Sequence, residues 1–437
     1  MKKIISIILC LIIILTIVSA CNKGDSNDDK KNTSKEEMKA KAINSPIEIG
    51  EFDSEKTPIE DDFSDKYKSF SNKLSRYYFK SDKNNENLVI SPMSFYFAFS
   101  TLTEGSDQKT LTELLNLLNM DDIEFLRNNV SNYKKMLNQK DENGKIVISD
   151  SVWADKDFKE FIKKDYLEKV KNFHYSEVYS EKLNDQNTLS EMEKWVRIKT
   201  NNLIEPKIEA DAASVLFILN TVYFKSDWRE EFLTKKNDKD NFFLRDGKNV
   251  EVDYMNNSVE NCGFVKNEDA MFSKLYFKND YHIEFILPDE GKSIYDLAQD
   301  EKFMNYAFSN KKYDYYTVNW KIPLYNFKNE VDLKQMLDSM GIENIFNPSE
   351  ANFSKMYERE KYGRNVYVSS ARQLNNFILN NKGVEAASYT EVGMKATAKP
   401  PEKEKLADMI LNKPFMFILK DTLNNPVFVG IVGNPTK

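Results

Sequence analysis

The sequence predicts one large domain of the α+β class, with helices concentrated in its first half and antiparallel strands in its second. Apolar residues recur at helical spacing in FSDKYKSFSNKLSRYYF, which begins at Phe63, and again in DQKTLTELLNLLNM. Hairpin patterns prevail from about 240 to 290. Because runs of each kind are typical of α+β proteins rather than of alternating folds, this class is favoured.

The first half of the chain contains both predicted helices and predicted strands. NLVISPMSFYFAFSTLTEG predicts a short buried strand, then a helix that begins at Ser-Pro and ends at Gly105. KIVISDSVWAD predicts a strand, FKEFIKKDYLEKVKNFHYSEVYS a helix and a strand, and LSEMEKWVRIKTNNLI a helix. SVLFILNTVYFKSDW is apolar almost throughout and predicts a long strand that is buried on both faces.

The second half consists mainly of strands. NFFLRDGKNVEVDYM and FSKLYFKNDYHIEFILPDEG predict hairpins, and YTVNWKIPLYNF predicts another strand. DLKQMLDSMGI predicts a helix with Gly341 at its C-terminal end. The tail predicts two strands around a turn near Asn424–Asn425. We find no internal repeat or long linker, so residues 61–437 are expected to form one domain.

The N-terminus has the pattern of an export signal over residues 1–20. Lys2 and Lys3 precede an apolar run that is shorter than the roughly 20 residues of a membrane span. The run ends in VSAC, which resembles a bacterial lipobox; this resemblance implies cleavage before Cys21 and a diacylglycerol on its thiol. An ordinary signal peptide with a chance cysteine is the alternative.

Residues 21–60 are polar and charge-dense, and we expect them to form a flexible tether. Stable anchoring requires at least two lipid chains. With Cys10 in the signal and Cys21 lipidated, Cys262 has no partner for an intramolecular disulfide. Cys262 is therefore expected to be a small, partly buried hydrophobic residue.

Composition excludes several classes of function. Lys and Arg total 62 against 69 for Asp and Glu, a net charge of −7, without the clustered basic excess of nucleic-acid binders. The only histidines, His174 and His282, have no metal-spaced partner, and G-x-S-x-G, H-E-x-x-H and a phosphate-binding glycine loop are missing. The sequence thus predicts no enzyme, no metal and no cofactor.

Five stretches together resemble the serpins, and they occur in serpin order over essentially all of 61–437. The stretches are NLVISPMSFYFAFSTLTEGSDQKTLTELLNLL, VLFILNTVYFKSDW, FILPDEG, DLKQMLDSMGIENIFNPSEANFSKM and NKPFMFILKDTLNNPVFVGIVGNP. The resemblance implies three β-sheets, eight or nine helices and an exposed reactive-centre loop. It also implies that a protease cleaves the loop, which then inserts as a strand into the main sheet and traps the acyl-enzyme.

KGVEAASYTEV resembles the serpin hinge, where the loop would enter the sheet. On this resemblance the hinge comprises Gly383, Val384, Glu385, Ala386, Ala387 and Ser388, and family spacing places the reactive bond between Thr397 and Ala398. As an inserted strand, the segment would direct Val384, Ala386, Ser388, Thr390 and Val392 inward. All five are small or β-branched, whereas a slip of one residue would bury carboxylates.

The shutter and breach of the main sheet are assigned by the same resemblance to Ser91, Ser94, Asn220, Trp228 and Gln373. Many serpins carry a histidine where this chain has Gln373. An amide both donates and accepts hydrogen bonds, so the network can persist. A glutamine does not titrate, which excludes a histidine-based pH trigger at this position.

The predicted function is suicide-substrate inhibition of an extracellular serine or cysteine endopeptidase. A non-inhibitory serpin that acts as a binding or structural protein is the alternative. Thr397 favours an elastase-like or subtilisin-like target, while Lys395 leaves a shifted, trypsin-like cut open. We expect a monomer, lipid-anchored at the extracellular face of the cell membrane, with shedding or secretion as the alternative.

Overall fold

The computed structural model describes residues 37–43, 49, 52–56, 58–81, 86–138, 144–210, 213–384 and 405–437. Residues Met38–Lys437 belong to one compact unit. The described ranges contain ten α-helices: α1 (Asp61–Ser81), α2 (Pro92–Thr103), α3 (Gln108–Leu117), α4 (Ile123–Leu137), α5 (Lys164–Asn172), α6 (Gln186–Lys199), α7 (Ile294–Leu297), α8 (Glu301–Phe308), α9 (Leu333–Ser339) and α10 (Arg359–Tyr362). None of these described helices is long and apolar enough to cross a membrane.

The strands complete the α+β fold and confirm that class. They are β1 (Leu88–Ile90), β2 (Gly144–Asp155), β3 (Glu177–Glu181), β4 (Leu216–Asp227), β5 (Asp238–Phe243), β6 (Asn249–Lys266), β7 (Ala270–Tyr276), β8 (His282–Pro288), β9 (Asp314–Pro323), β10 (Tyr325–Asp332), β11 (Arg372–Asn380), β12 (Gly383–Val384), β13 (Leu406–Ile410), β14 (Phe415–Lys420) and β15 (Pro426–Val432). Because α7 and α10 have only four residues each, eight longer helices remain, as expected.

The strands form two hydrogen-bonded sheets in the described part of the chain. The main sheet has the order β10-β11-β12-β4-β2-β3, and the larger sheet runs β1-β15-β14-β8-β7-β6-β9-β13 with β5 beside β6. The resemblance implied a second and a third sheet. Here these are continuous, because the 18-residue strand β6 pairs with β5, β7 and β9 along its length.

Helix α2 lies at the centre of the core and contacts both β4 and β15. Ser91 caps its N-terminus, since the Ser91 hydroxyl accepts a hydrogen bond from the Ser94 N–H at 3.2 Å, and Pro92 occupies its first position. Eleven of its twelve residues are buried. The main sheet therefore packs on a helix that has almost no solvent-exposed face.

A smaller apolar cluster lies between β3 and α6 and contains Trp153, Tyr179 and Trp195. An extended N-terminal segment packs on it through three alternate side chains, Met38, Ala40 and Ala42. The Ile43 N–H donates to the carbonyl of Val178 at 2.7 Å. This segment thus adds one backbone hydrogen bond to the edge strand of the main sheet.

Strand β4 departs from its prediction. The sequence predicted burial on both faces, yet the first five residues, from Leu216 to Asn220, are only half-buried. The last part, from Thr221 to Phe224, is fully buried. The difference in burial has a tertiary cause. Strand β4 pairs with β2 over nearly its whole length but pairs with β12 only at its end.

Candidate functional site

The short strand β12 marks the point where the predicted loop enters the main sheet. Gly383 pairs with Asn380 of β11 and with Asp227 of β4, and both ladders are antiparallel. Val384 pairs with Leu379 and Ser226 and is 4% exposed. The beginning of the predicted hinge therefore already lies between two strands of the sheet.

Gly383 is required at this position by two features of its backbone. Its φ angle is +150°, which side chains rarely allow. A Cβ atom at this residue would lie 2.0 Å from the carbonyl oxygen of Ser226. Only glycine permits the backbone of β12 to approach β4 so closely.

Trp228 donates two hydrogen bonds to the turn that leads into β12. Its backbone N–H donates to the Lys382 carbonyl at 2.8 Å, and its indole N–H donates to the Asn380 carbonyl at 2.9 Å. The ring stacks on Phe277 with a centroid distance of 4.6 Å. Trp228 thus lies beside the end of β4 and contacts the turn that leads into β12, and its assignment to the breach stays a prediction.

Beyond β12 the described part of the main sheet is split, because no backbone pairs join β4 to β11 within the described ranges. A cavity of about 460 Å³ lies at this junction, and its walls include Leu216–Phe224 on one side and Gln373–Phe377 on the other. Phe95, Ala98 and Phe99 of α2 contribute to its lining.

Gln373 connects β11 to α2 below the split. Its side-chain carbonyl accepts from the Ser91 N–H at 2.9 Å, and its amide donates to the Ser91 carbonyl at 3.0 Å. The Ser91 hydroxyl in turn donates to the Val427 carbonyl at 2.8 Å. Gln373 therefore satisfies both backbone groups of a buried helix cap, as an amide side chain can.

Asn220 lines the same cavity but belongs to a different hydrogen-bond group. Its amide donates to Asp150 Oδ1 on β2 at 2.8 Å, and its Oδ1 has no partner among the described residues. Lys134 of α4 pairs with Asp150 Oδ2 and donates to the His174 carbonyl at 2.8 Å. The expected neighbours thus surround one cavity, while their hydrogen bonds form two separate groups.

The comparisons with known proteins agree with this geometry. A family model described as Serpin (serine protease inhibitor) matches residues 65–435. The chain belongs to the serpin family. Mouse alpha-2-antiplasmin is 26% identical over 80% of this chain and 68% of its own length. For human antithrombin-III the identity is also 26%, over 81% of this chain and 78% of the relative.

Solved structures show the same fold. The thermophilic serpin tengpin in its native state has a TM-score of 0.77 at 25% identity, covering 90% of this chain and 99% of tengpin. Its latent state gives a TM-score of 0.73 at 24% identity, over 86% and 98% of the two chains. Serpins are in general protease inhibitors rather than enzymes, and several are non-inhibitory.

Three buried titratable groups of this serpin, Lys134, Glu104 and His174, have shifted pKa values. Burial lowers the pKa of Lys134, although Asp150 opposes the shift. Burial raises the pKa of the Glu104 carboxyl, but hydrogen bonds from His174 and Arg127 lower it to about 2. Burial lowers the pKa of His174, which favours the neutral ring. Hydrogen bonds link these groups into one buried polar network, from Lys134 through His174 and Glu104 to Arg127.

The sequence prediction missed Lys134 and Asp150, although a signal was present. Lys134 lies in the apolar stripe of α4 that includes Leu126, Val130 and Leu137. Asp150 follows Ile146 and Ile148 on alternate positions of β2, and all three are buried. A cation and an anion that each occupy a core position indicate a buried ion pair.

Other predicted site residues lie outside the described ranges. These are the lipidation residue, most of the hinge and the reactive bond, namely Cys21, Glu385, Ala386, Ala387, Ser388, Thr397 and Ala398. Cys262 is buried, with its Sγ 3.1 Å from the Lys274 carbonyl. In the part of the chain that the structure describes, no group of three His, Cys, Asp or Glu side chains could hold a metal.

We expect Gln373→Leu to lower the free energy of unfolding by about 1–3 kcal/mol, because the Ser91 N–H would lose its partner in a buried site, while the Ser91 carbonyl would keep only the Phe95 N–H. Urea unfolding at neutral pH measures the change. Gln335→Leu on the exposed face of α9 is the matched control and should be nearly neutral. Equal stabilities of the two variants would contradict a structural role of the Gln373–Ser91 contact.

Proposed function

We propose that this serpin inhibits an extracellular serine or cysteine endopeptidase as a suicide substrate, with the segment between Val384 and Lys405 as its bait. The supporting observation is the double pairing of β12, which already lies between β4 and β11. A strand that continues from Val384 would extend both ladders.

The register of β12 defines where each further residue would pair. Both ladders are antiparallel, so each step beyond Val384 moves one residue back along β11 and along β4. Residue 386 would then lie between Phe377 and Phe224, and residue 388 between Asn375 and Val222. Residue 394 would reach Leu216, the first residue of β4. The inserted strand would thus match the length of β4.

This register supports the predicted inward face. Opposite residues in a ladder share a face, and the partners of the even-numbered positions are buried: Leu379, Phe377, Asn375 and Gln373 on β11, and Ser226, Phe224 and Val222 on β4. Val384, Ala386, Ser388, Thr390 and Val392 would therefore point to the core. Glu385 and Glu391 would remain in solvent, so no carboxylate is buried.

Thr390 would meet a specific partner in this arrangement. On this register residue 390 would lie between Gln373 and Asn220, and Asn220 Oδ1 has no hydrogen-bond partner among the described residues. A threonine hydroxyl can donate to that oxygen. Insertion would then satisfy a buried acceptor, which adds a polar gain to the burial of the small side chains.

The chemistry would be supplied by the protease. Its serine or cysteine attacks the carbonyl carbon of Thr397, the peptide bond to Ala398 breaks, and the new amine leaves as the acyl-enzyme forms. Insertion of the freed strand must precede attack of water on the acyl bond. Thr397 favours a protease with a small or β-branched specificity pocket, elastase-like or subtilisin-like, and Lys395 is the alternative site for a trypsin-like cut.

Incubation with a panel of serine and cysteine endopeptidases tests this proposal. We expect an SDS-stable complex with at least one elastase-like or subtilisin-like enzyme, and release of a C-terminal fragment that begins at Ala398, measured by mass spectrometry. A fragment that begins at Ala396 would move the bond to Lys395–Ala396. Clean cleavage with full residual protease activity throughout the panel would instead favour a non-inhibitory serpin.

Val384→Arg should abolish the SDS-stable complex and leave cleavage after Thr397 intact, because a guanidinium at this buried position blocks insertion. Glu385→Arg is the matched control: it introduces the same side chain one residue later, on the outward face, and should retain the complex. Gel electrophoresis of both reactions gives the comparison. Similar loss in the two variants would contradict the alternation of faces.

The N-terminal sequence is the basis for the proposed location of the protein in the cell. Lipid on Cys21 would hold the serpin at the extracellular face of the cell membrane, with residues 21–60 as the tether. We expect Cys21→Ser to move the protein from the membrane fraction to the medium, as seen by immunoblotting of fractionated cells. A mature Cys21→Ser protein that stays with the membrane would refute lipidation at this residue.

A further inference from the structure

The main sheet has two ends, and β12 lies at one of them. Val384 of β12 pairs with Ser226, which lies opposite Gly144 at the start of β2. Strand β2 ends at Asp155, and at about 3.3 Å per residue its two ends are roughly 35 Å apart. We call the end at Asp155 the distal end of the main sheet.

Two segments that are far apart in the sequence meet at the distal end. Residues 156–164 follow β2 directly, and residues 355–364 contain α10. The Lys163 N–H donates to the Met356 carbonyl at 2.9 Å, so the backbones of the two segments are in contact. Their exposed side chains therefore belong to one surface, which we call the distal basic surface.

The distal basic surface has an excess of cations. Its two segments contain eight Lys or Arg residues and four Asp or Glu residues, although the whole chain has a net charge of −7. The basic residues, of which only Lys163 is half-buried rather than exposed, are Lys156, Lys159, Lys163, Lys164, Lys355, Arg359, Lys361 and Arg364. Within the described chain only Lys355 of these has an ion pair, at 4.0 Å from Asp107. Of the acidic residues, Asp157 is already paired with Lys182 from outside the segments at 2.7 Å.

Helix α6 shows which end of the sheet the N-terminal segment approaches. Glu177, at the start of β3, accepts a hydrogen bond from the indole of Trp195, late in α6. The Asp185 N–H, just before α6, donates to the Lys182 carbonyl, just after β3. Helix α6 is therefore antiparallel to β3, and its first turn lies toward the distal end, because β3 is parallel to β2.

The segment 38–43 runs along α6 toward this end. Its Ile43 N–H donates to the Val178 carbonyl near the start of β3, whereas the Ala40 N–H donates to Glu191 Oε2 on α6 at 3.0 Å. Glu191 precedes Trp195 by about one helical turn and so lies nearer the distal end. The N-terminal segment thus enters the domain from the side of the distal basic surface.

We propose that the distal basic surface binds the headgroups of an anionic lipid bilayer. Lys and Arg side chains are attracted by the negative surface potential of such a bilayer when they lie within a Debye length of it. The choice of a bilayer rests on the proposed location, because lipid on Cys21 would bring this end of the domain to the membrane. β12 would then lie roughly 35 Å farther from the bilayer than Asp155, with the bait accessible to proteases in the medium.

Lys159→Glu combined with Lys361→Glu, the distal variant, reverses one charge in each segment. Both side chains are exposed, and neither makes a hydrogen bond or ion pair in the part of the chain that the structure describes. Lys235→Glu combined with Lys236→Glu is the matched control, with the same change of charge on another exposed surface. It lies near the opposite end, since the next residue, Asn237, is bonded to the turn that leads into β12.

Cosedimentation with vesicles tests the surface without any lipid anchor. The chain from residue 21 with Cys21→Ser contains the whole compact unit Met38–Lys437. We expect it to bind phosphatidylglycerol vesicles, to bind them less as the salt concentration rises, and not to bind phosphatidylcholine vesicles. On this background the distal variant should bind phosphatidylglycerol vesicles at least about tenfold more weakly, and the control should stay within about twofold of the parent. Equal Tm values, expected for exposed positions, exclude unfolding as the cause.

Three results would overturn the proposal. They are no binding of the parent to phosphatidylglycerol vesicles, equal binding to the two kinds of vesicle, and equal weakening in the distal variant and the control. Soluble polyphosphate that binds the parent as tightly, per phosphate, as the vesicles do would also overturn the assignment to a bilayer.

Energy transfer to a labelled lipid measures the orientation. Cys262 is 4% exposed, so an introduced surface cysteine can be labelled selectively in the Cys21→Ser chain. Transfer from Lys361→Cys should exceed transfer from Lys235→Cys on phosphatidylglycerol vesicles, and equal transfer would overturn the orientation. If fractionated cells show no lipid on Cys21, the proposed location fails, whereas the vesicle comparison still decides the role of the distal basic surface.

Discussion

The contact between the backbones of Gly383 and Ser226 determines how the main sheet can accept another strand. Because no side chain fits there, β12 lies against β4 in one register, and every further pairing follows from it. If the loop inserts as proposed, this register would direct its small side chains to the core face and its carboxylates to solvent. The same contact explains why residue 383 is glycine rather than another small residue.

The main sheet is supported by two separate polar groups, one on each side of its split. Gln373 ties β11 to the N-terminus of α2 through Ser91, and Lys134 ties β2, with Asn220 of β4, to α4 through Asp150. Each group satisfies its own members apart from one acceptor, Asn220 Oδ1. Apart from the bond of the Trp228 indole to the Asn380 carbonyl, no described side-chain hydrogen bond joins β4 to β11.

A second buried charge cluster serves the larger sheet. Glu284 on β8 is fully buried and pairs with Lys420 of β14 at 2.7 Å and with Lys311 at 3.0 Å. Burial raises the pKa of the Glu284 carboxyl, but the two lysines lower it to about 2. The contact with Lys420 connects two neighbouring strands, and the contact with Lys311 joins β8 to the loop before β9. At Asp150, by contrast, the buried ion pair joins β2 to α4, and Asp150 also accepts the Asn220 amide.

The sequence by itself determined the class and the order of most helices and strands, and its prediction of a hinge begins at Gly383. Hydrophobic periodicity, the Ser91–Pro92 helix start and the glycine at the end of α9 are local signals, which act within one turn or strand. Only the tertiary structure decided that β4 is half-exposed, that β6 joins two sheets and that Asn220 binds Asp150 rather than the Gln373 group. Those outcomes depend on contacts between residues up to 282 positions apart, as in the Gln373–Ser91 pair, and no local pattern specifies them.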